Sequence, residues 1–493
     1  MSVDNGCSHT SLAPSEEKAT GVLGRLFKLK ENNTSVRTEI VAGITTFMTM
    51  AYIIAVNPNL LSMAGMPRGG VFMATCIASV VGTLTMAFLS NYPFVLAPGM
   101  GLNAFLTFGV CLGMGYSWQF ALLAVFVEGL IFLALSLTPV RESIFNAIPI
   151  PLKKAVAAGI GLYICFIALQ TSGIVVDNDK TLVSLIKFKT ADIHTAGICA
   201  ILAIAGTLLT AFMLVKQFKG AILIGIVATW GLGMACQAAG IYVPNPAEKF
   251  YSLYPTLTLD GFKENFLEFG KTIGAIFNSE GWVHKSADGE ILRSGWSLVK
   301  SLDFFVVIFS FFFVDLFGTL GTLIGVSMRG GFLDAEGKLE RISGALSADA
   351  IATSAGAVLG TSTTTTFVES ASGVMVGGRT GLTGVTSAAL FALSIVFAPV
   401  FLAIPAFATA PALIIVGYMM ISSCTDINWH DAGEAVPAFL AVAAMPFTYS
   451  ISEGIMFGVI SYTVINAFAG NFKRIHWVMH VLTVIFIAKY ALM

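Results

Sequence analysis

The chain has 493 residues, of which 56% are hydrophobic and 11% are charged. An ordinary soluble domain carries roughly 25% charged residues, so this composition excludes a soluble protein and indicates a polytopic membrane protein. A formal net charge of -1 leaves no basic surface that would suit a nucleic-acid partner. The seven cysteines form no CxxC pair and show no zinc spacing, so neither a disulfide framework nor a metal site is predicted.

Residues 1–38 are polar and lack the apolar core of a signal peptide, so they are predicted to be an N-terminal cytoplasmic tail. Apolar stretches of roughly 17 to 25 residues, enough to cross a ~30 Å hydrocarbon core, then follow in two groups. The first repeat, residues 39–242, holds seven of them: 39–62, 70–89, 94–114, 118–139, 152–169, 194–215 and 219–242. A polar insert, residues 243–302, ends this group.

The second repeat, residues 303–493, holds eight apolar stretches: 303–327, 343–359, 361–376, 382–404, 406–424, 432–451, 453–470 and 475–492. One of them is expected to be half of a broken helix or to lie in the membrane interface. The prediction is therefore an all-α polytopic membrane protein with about 14 transmembrane segments in two 7-segment repeats. Because seven is odd, the second repeat is inverted relative to the first, as in many secondary transporters.

Orientation is predicted from the basic residues of short loops, which collect on the cytoplasmic side. They follow the even-numbered spans and flank the first one: Arg25, Lys28, Lys30, Arg37, Arg141, Lys153, Lys154, Lys216, Lys219, Arg329, Lys338, Arg341, Lys473 and Arg474. Both termini are therefore predicted to be cytoplasmic, in a cell (plasma) membrane, with the 243–302 insert extracytoplasmic.

The tenth predicted segment contains GTSTTTTFVESASGVMVGGRTG, residues 360–381. Its β-branched hydroxyl residues favour extended backbone over helix, so 360–368 is predicted to be extended and a short helix to begin near Glu369. A carboxylate at bilayer depth is costly and usually contacts a ligand, an ion or a proton. Glu369 is therefore the first candidate substrate contact, the alternatives being a helix-capping role or an ion pair with Arg379.

The third predicted segment contains LAPGMGLNAFLTFGV, residues 96–110. Pro98 and the glycines after it suit the start of a second half-helix that approaches another backbone closely. Asn103 is placed near the beginning of that helix. It is either a substrate or scaffold contact, or one partner of a hydrogen bond between helices.

The eighth predicted segment contains SFFFVDLFGTLGTLIGVS, residues 310–327. Asp315, Thr319 and Thr322 share one helical face, and Gly321 and Gly325 have the spacing that lets helices approach. Burial disfavours the charged form of a carboxyl, so Asp315 is a candidate proton carrier. The alternative is a buried structural hydrogen bond.

Other polar residues inside the predicted spans rank lower. Glu128 lies in the middle of a span without an obvious cluster and is interpreted as structural, and Asp349 as a packing or gate contact. Arg379 is expected to reach the cytoplasmic interface or to hold its loop. The stripe of Thr45, Thr49 and Tyr52 lines the transport cavity or bonds its own helix.

Five stretches together resemble a known family: TTFMTMAYIIAVNP, LAPGMGLNAF, FFFVDLFGTLGTLIG, GTSTTTTFVESASGV with GGRTGLT, and EAVPAFLAVAAMPFTYSIS. They look like the signature segments of the AzgA-like purine permeases, a branch of the nucleobase:cation symporters. They run from Thr45 to Ser452 in the family's order, so the resemblance covers nearly the whole chain.

The resemblance implies the uracil-permease type fold, with a core domain, a gate domain, and a short strand in the third and tenth segments. It also implies proton symport that imports hypoxanthine, guanine or adenine, with the base bound between the two strand-containing segments. Glu369 corresponds to the family's purine-binding glutamate, and Asp315 and Asn103 to its DLF aspartate and GLNA asparagine. Many relatives have DLFDT, where this sequence has Gly318.

The sequence therefore predicts a purine nucleobase symporter, not an enzyme, with Glu369, Asn103, Asp315, Thr366 and Thr319 in the substrate site and Asp315 and Glu369 in proton coupling. Its partners are the purine, the proton and the lipid bilayer, with no cofactor beyond the proton gradient; a homodimer is left open. The alternatives are a xanthine or uracil transporter, a passive nucleobase facilitator or channel, and an intramembrane aspartyl protease. The GxGD sequence expected of such a protease is absent from this chain.

Overall fold

A computed structural model describes residues 22–136, 149–178, 180–189, 191–218, 220–245, 250–255, 259–286, 288–333 and 339–492. Parts of the sequence predictions fall outside these ranges: most of the N-terminal tail and three basic residues used for orientation, Arg141, Lys219 and Lys338.

The N-terminal tail and the first repeat are helical apart from a short strand in the third segment and a hairpin between two of the helices. Its elements are α1 Val22–Leu26, α2 Val36–Met50, α3 Tyr52–Ser62, α4 Arg68–Leu89, β1 Leu96–Pro98, α5 Met100–Ala104, α6 Trp118–Ser136, α7 Ile150–Thr171, α8 Ile198–Val215 and α9 Ala221–Ala238. A π-helix, Phe105–Gly113, continues α5, and a second one, Ile193–Gly197, leads into α8. A hairpin of β2 Val175–Asn178 and β3 Leu182–Leu185 connects α7 to α8.

The insert and the second repeat complete the chain. The insert contains α10 Leu259–Thr272, β4 Val283–Lys285, β5 Ile291–Ser294 and α11 Trp296–Val299. The second repeat contains α12 Leu302–Gly330, α13 Ile342–Leu359, β6 Thr364–Thr366, α14 Ser370–Val376, α15 Gly381–Ser394, α16 Ala398–Leu402, α17 Ala406–Ile421, α18 Ala432–Phe447, α19 Ile451–Phe468 and α20 Trp477–Leu492. Ten helices in the described ranges are long and apolar enough to cross a membrane, and four shorter apolar helices join them.

Local signals in the sequence set several of these boundaries. The Ser35 hydroxyl accepts a hydrogen bond from the Thr38 amide at 3.2 Å and caps α2. Ser301 caps α12 and Asp431 caps α18 in the same manner. Such side chains satisfy amides at a helix start that have no partner within the helix.

The packing repeats itself between the two halves. The contact of α6 with α13 mirrors that of α15 with α4, and the contact of α12 with α6 mirrors that of α2 with α15. Outside this core bundle, α8 packs on α17 as α18 packs on α7, which gives a gate bundle of the same internal symmetry. The predicted fold of two inverted repeats, with core and gate bundles, is thus confirmed.

The two predicted strands meet each other at the centre of the core bundle. β1 pairs antiparallel with β6, with Leu96 opposite Thr366 and Pro98 opposite Thr364. The predicted extended stretch before Glu369 is present, as is the short helix that ends at Gly377, where φ is +112°. Pro98 is the last residue of a strand, whereas the sequence indicated a helix start at this position.

The last helix differs from the prediction that both termini lie on the same side. α20 runs antiparallel to α19, so that the Tyr490 hydroxyl donates to the Glu453 carboxylate near the beginning of α19. Phe486 contacts Phe309 near the start of α12, with ring centroids 5.7 Å apart. The end of α20 therefore lies on the face that carries the insert, opposite the start of α2. This helix is a fifteenth segment.

The insert is folded and attached to the core bundle. Its α10 packs on α4, and the Glu268 carboxylate accepts a hydrogen bond from the Gly69 amide at 2.7 Å. Its hairpin β4–β5 covers the turn before α6, where the Tyr116 and His284 rings stack with centroids 4.3 Å apart. Sequence reasoning gave this segment no structure, because its contacts come from distant parts of the chain.

Candidate functional site

The site is built around the crossing of β1 and β6. Beyond the paired residues, the Gly99 amide donates to the Thr363 carbonyl at 2.9 Å, and the Phe367 amide donates to the Val95 carbonyl at 3.1 Å. A side chain at position 99 would approach the Thr365 methyl group to 2.9 Å, so glycine is required for the close crossing. Each strand leads into a half-helix, α5 or α14.

Glu369 is the residue that immediately precedes α14. Its carboxylate accepts a hydrogen bond from the Tyr52 hydroxyl at 2.9 Å, and its side chain makes no capping bond to α14. Glu369 is half-buried, and the neighbouring Val368 side chain is 49% exposed. The carboxylate is therefore held by one donor at the border of open space, where a ligand has access to it.

The alternative partner of Glu369, Arg379, is engaged elsewhere. Its guanidinium donates to the Val374 carbonyl at 2.7 Å and to the Gly378 carbonyl at 2.8 Å, at the end of α14. Its backbone amide donates to the Glu39 carboxylate at 2.9 Å. Arg379 therefore holds its own loop, as one of the two sequence interpretations stated.

The threonine stripe of α2 forms the wall beside Glu369. Thr45 bonds the carbonyl of its own helix at Val41, whereas Thr49 lies 2.9 Å from the Ser372 hydroxyl of α14. Tyr52 begins α3 immediately after this stripe. The threonines of the stripe bond their own helix, as one sequence interpretation stated, and Tyr52 makes the contact to Glu369.

Asn103 lies below the crossing and is completely buried. Its side-chain amide donates to the Asn57 carbonyl oxygen at 2.7 Å, and Asn57 donates to Thr75 at 2.8 Å and to Thr361 at 3.0 Å. These bonds join α3, α4, α5 and the start of the tenth segment. In this conformation Asn103 is a scaffold residue that fixes the half-helix.

Asp315, Thr319 and Thr366 come together behind β6. The Thr319 hydroxyl lies 3.2 Å from Asp315 Oδ1 and 2.9 Å from Asp349 Oδ2. Asp349 also accepts hydrogen bonds from the Thr366 amide at 2.9 Å and the Thr366 hydroxyl at 3.2 Å. Three of the predicted substrate contacts therefore form a buried network with Asp349, which links α12 and α13 to the strand that precedes Glu369.

Glu128 belongs to the same cluster, and the interpretation that it lacks one is wrong. It is completely buried in α6, which packs on α12 and α13, and it interacts electrostatically with Asp315 and Asp349. The signal in the sequence was a set of three acidic residues in the middle of three spans. The sequence could not show that α6, α12 and α13 converge, because more than two hundred positions separate α6 from α13.

The glycines of α12 do not bring helices together as their spacing predicted. Gly318, Gly321 and Gly325 are exposed, and a Cβ atom added to any of them would meet no described atom within 4 Å. This face of α12 is therefore open, and Gly318 has room for a larger side chain.

Two large cavities lie on the insert's side, away from Glu369. One of about 810 Å³ is lined by residues that include Asn59, Arg68 and Tyr242, and one of about 850 Å³ by residues that include Phe108, Tyr449 and Glu453. Gln170 and Thr171 border both cavities. Both cavities lie between the core and gate bundles, and the paired residues of the strand crossing do not line them.

The chemistry of the crossing suits a flat polar ligand. A carboxylate accepts hydrogen bonds from N–H donors, whereas the Ser370, Ala371 and Ser372 amides at the start of α14 already donate to backbone carbonyls. Groups of acidic, histidine or cysteine side chains that would hold a metal ion are not found in the described residues.

Solved structures of low sequence identity share this fold. The transmembrane domain of the cyanobacterial bicarbonate transporter BicA matches with a TM-score of 0.54 at 13% identity, covering 86% of this chain and 97% of that one. The murine anion transporter Slc26a9, in its inward-facing state, matches with a TM-score of 0.56 at 12% identity, covering 88% of this chain and 68% of that one. They support the fold alone.

Sequence relatives cover nearly the whole chain. The guanine/hypoxanthine permease PbuO of Bacillus subtilis is 41% identical, over 94% of this chain and 98% of its own length. The adenine permease AdeQ of Escherichia coli is 37% identical, over 95% of this chain and 96% of its own length. A family model described as a permease family, of the xanthine/uracil type, matches residues 37–457. The chain therefore belongs to this permease family, in the AzgA-like branch that its motifs indicated, and is a multi-pass membrane transporter rather than an enzyme.

Proposed function

We propose that the protein imports purine nucleobases, hypoxanthine or guanine and also adenine, by proton symport with alternating access across the plasma membrane. The observation that carries this proposal is the half-buried Glu369 carboxylate, which one hydroxyl holds at the border of open space beside two half-helices. The names of relatives that cover the chain almost completely support the same substrate class. No cofactor is needed beyond the proton gradient.

Glu369 is the direct purine contact in this proposal. A purine presents ring and exocyclic N–H donors on one edge, and an ionised carboxylate is an acceptor with two oxygens. The Tyr52 hydroxyl donates to one oxygen of this carboxylate, so the carboxylate keeps acceptor capacity for the base. Backbone amides at the start of α5 serve the acceptors of the purine.

The other predicted site residues act behind this contact. Asn103 sets the position of α5, while Thr319 and Thr366 tie the acidic network to β6. Asp315 is the carboxyl that carries the coupled proton. Glu369 takes part in coupling because it binds the purine. Rocking of the core bundle against the gate bundle exposes the crossing to each side in turn.

The proposed orientation places the start of α2 in the cytoplasm and the 243–302 insert outside. It follows from the basic residues of the short loops, with residues 39–242 and 303–493 as the two repeats. The end of α20 then lies outside, on the insert's face, instead of inside as the sequence predicted. A single cysteine at Ser286 should react with an impermeant reagent in intact cells, and one at Asn32 should react only after permeabilisation.

The transport proposal is tested with purified protein in proteoliposomes. Labelled hypoxanthine uptake is followed under an imposed pH gradient, and unlabelled guanine, adenine, xanthine and uracil are added as competitors. We expect accumulation above the external concentration that collapses with a protonophore, with competition by purines. Exchange without accumulation would identify a passive facilitator, and preferential competition by uracil or xanthine would assign a different base. Cross-linking in the same vesicles decides whether the protein is a homodimer.

A further inference from the structure

Three acidic side chains meet inside the core bundle, at the contact of α6, α12 and α13. Glu128 and Asp349 are completely buried, and Asp315 is 1% exposed. Among the described residues, the ionisable groups that interact with Glu128 are Asp315 and Asp349, both of them acids. The cations on the helices packed here lie at helix ends, Arg68 at the start of α4 and Arg329 at the end of α12.

The three carboxyls differ sharply in the hydrogen bonds they receive. Asp349 accepts from the Thr366 amide and from the hydroxyls of Thr319, Thr365 and Thr366, at 2.9 to 3.3 Å. Asp315 has the same Thr319 hydroxyl within reach, at 3.2 Å, and shares the single hydrogen of that hydroxyl with Asp349; the second oxygen of Asp315 has no donor in the described part of the chain. Neither oxygen of Glu128 has a donor there.

This difference determines which carboxyl can carry a charge. Hydrogen bonds donated to a carboxylate stabilise its ionised form, so Asp349 is suited to be the anion of the cluster. A buried ionised group without donors or a counterion is costly, and two such groups side by side also repel each other. Glu128 and Asp315 are therefore suited to hold a proton between them, since a carboxyl that carries one can donate it to its neighbour.

We propose that Glu128 and Asp315 share one proton across the contact of α6 and α12, and that this pair, rather than Asp315 alone, is the proton-binding site of the transport cycle. The inference rests on the proposed proton symport for its role in transport, but the shared proton itself does not depend on it.

Thr319 connects this pair to the strand crossing. Its single hydroxyl hydrogen is within reach of Asp315, Asp349 and the Thr365 hydroxyl, the last at 2.6 Å. Loss of the shared proton leaves a charged Asp315 that competes for this hydrogen and withdraws it from Asp349. Asp349 holds Thr365 and Thr366 of β6, which end three residues before Glu369. Protonation of the pair and the position of Glu369 are thereby linked through one hydroxyl.

The shared proton is tested first without any purine. Infrared difference spectra of the purified protein are recorded during a pH titration, and the carbonyl stretch of a protonated carboxyl is followed. We expect a band in the wild type that disappears in Glu128→Gln and is lost or displaced in Asp315→Asn, while Asp349→Asn retains it. A band that is unchanged in Glu128→Gln would overturn the proposal.

The role in coupling is tested in proteoliposomes with labelled hypoxanthine. Glu128→Gln should reduce pH-driven accumulation by at least about tenfold, as loss of a single coupling group predicts, while downhill exchange continues. Asp315→Asn should give the same phenotype, and the double variant should be no worse, because residues that act as one unit are not additive. Ser354→Ala is the matched control, since Ser354 lies on α13 against Gly129, next to Glu128, and should accumulate hypoxanthine normally.

The outcomes separate this inference from the proposed function. Wild-type-like accumulation by Glu128→Gln, or accumulation driven by a sodium gradient without a pH gradient, overturns the coupling role of the pair. A wild-type protein that shows the infrared band but neither binds nor transports purines contradicts the proposed function and leaves the shared proton supported.

Discussion

The two strand-containing segments of the core bundle have the same architecture and different chemistry. In the first repeat, β1 leads to α5, and Asn103 is completely buried in a chain of amides and hydroxyls. In the second repeat, β6 leads to α14, and Glu369 is half-buried with one donor, beside an exposed Val368. The inverted repeat thus supplies a symmetric frame, whereas the half-buried carboxylate of the proposed purine contact belongs to the second copy.

This difference shows how a duplicated fold separates two tasks. In the copy with the amide, the Asn103 NH2 group is bonded to Asn57, although its Oδ1 atom has no donor among the described residues. The copy with the carboxylate keeps part of its hydrogen-bonding capacity for a ligand. Substitutions in the first copy should therefore affect the free energy of unfolding, and substitutions in the second should affect affinity.

The largest effect is expected from Glu369→Gln. The amide accepts at only one atom and turns a pair of donors toward the N–H edge of the purine, leaving buried groups unmatched at roughly 1 to 3 kcal/mol each. We expect hypoxanthine binding in a scintillation proximity assay to fall below detection, with normal insertion and purification. Glu290→Gln, on the exposed insert hairpin, is the matched control and should bind normally; wild-type affinity in Glu369→Gln would remove this residue from the site.

Asn103→Ala should show the opposite pattern. It leaves the Asn57 side chain without its buried partner, at a cost of about 1 to 3 kcal/mol. We expect a lower melting temperature in detergent, with purine affinity preserved in the fraction that remains folded. If the melting temperature is unchanged and affinity is lost, Asn103 contacts the purine in another conformation, and the comparison between the two copies fails.

Tyr52→Phe should give an intermediate effect, confined to the copy with the carboxylate. It removes the hydroxyl that holds Glu369 at 2.9 Å, while the ring continues to fill its buried position. Loss of one hydrogen bond to a charged group should weaken binding on the order of tenfold. Isothermal titration with hypoxanthine measures the affinity. The control is Tyr92→Phe, which changes a buried tyrosine outside the crossing. Equal affinities for Tyr52→Phe and the wild type would mean that Glu369 is positioned by other contacts.

Gly318→Asp should have the smallest effect. The new side chain would enter open space on α12, one turn from Asp315, where a second carboxylate favours protonation of one member of the pair. We expect normal folding and a pH optimum of uptake that moves upward by less than about one unit. Gly318→Asn controls for size without charge, and a shift of the same size in both variants would exclude an electrostatic cause.

The sequence predicted the tenth segment well because its signals are local. A run of β-branched residues, an acidic residue and a pair of glycines follow one another within 22 positions, and the strand, the half-helix and its end at Gly377 appear as predicted. Apolar length and loop charge likewise predicted the spans and the internal repeat.

The acidic cluster could not be predicted in this way, because its parts come from three helices. Nothing near Glu128 in the sequence distinguishes it from a residue that packs alone, and Tyr52 has no local feature that points to Glu369, 317 positions away. The direction of α20 was also beyond sequence reasoning, since hydropathy identifies an apolar helix but not the surface against which it packs.

The insert has a consequence for the control of this protein from the face of the membrane that carries it. Its beginning is anchored on the gate bundle, where Trp230 of α9 donates to the Leu253 carbonyl at 2.9 Å. Its α10 and hairpin are anchored on the core bundle, through Glu268 and His284. An antibody fragment that binds both parts at once would fix the position of one bundle relative to the other. It would thereby inhibit transport without entering the membrane.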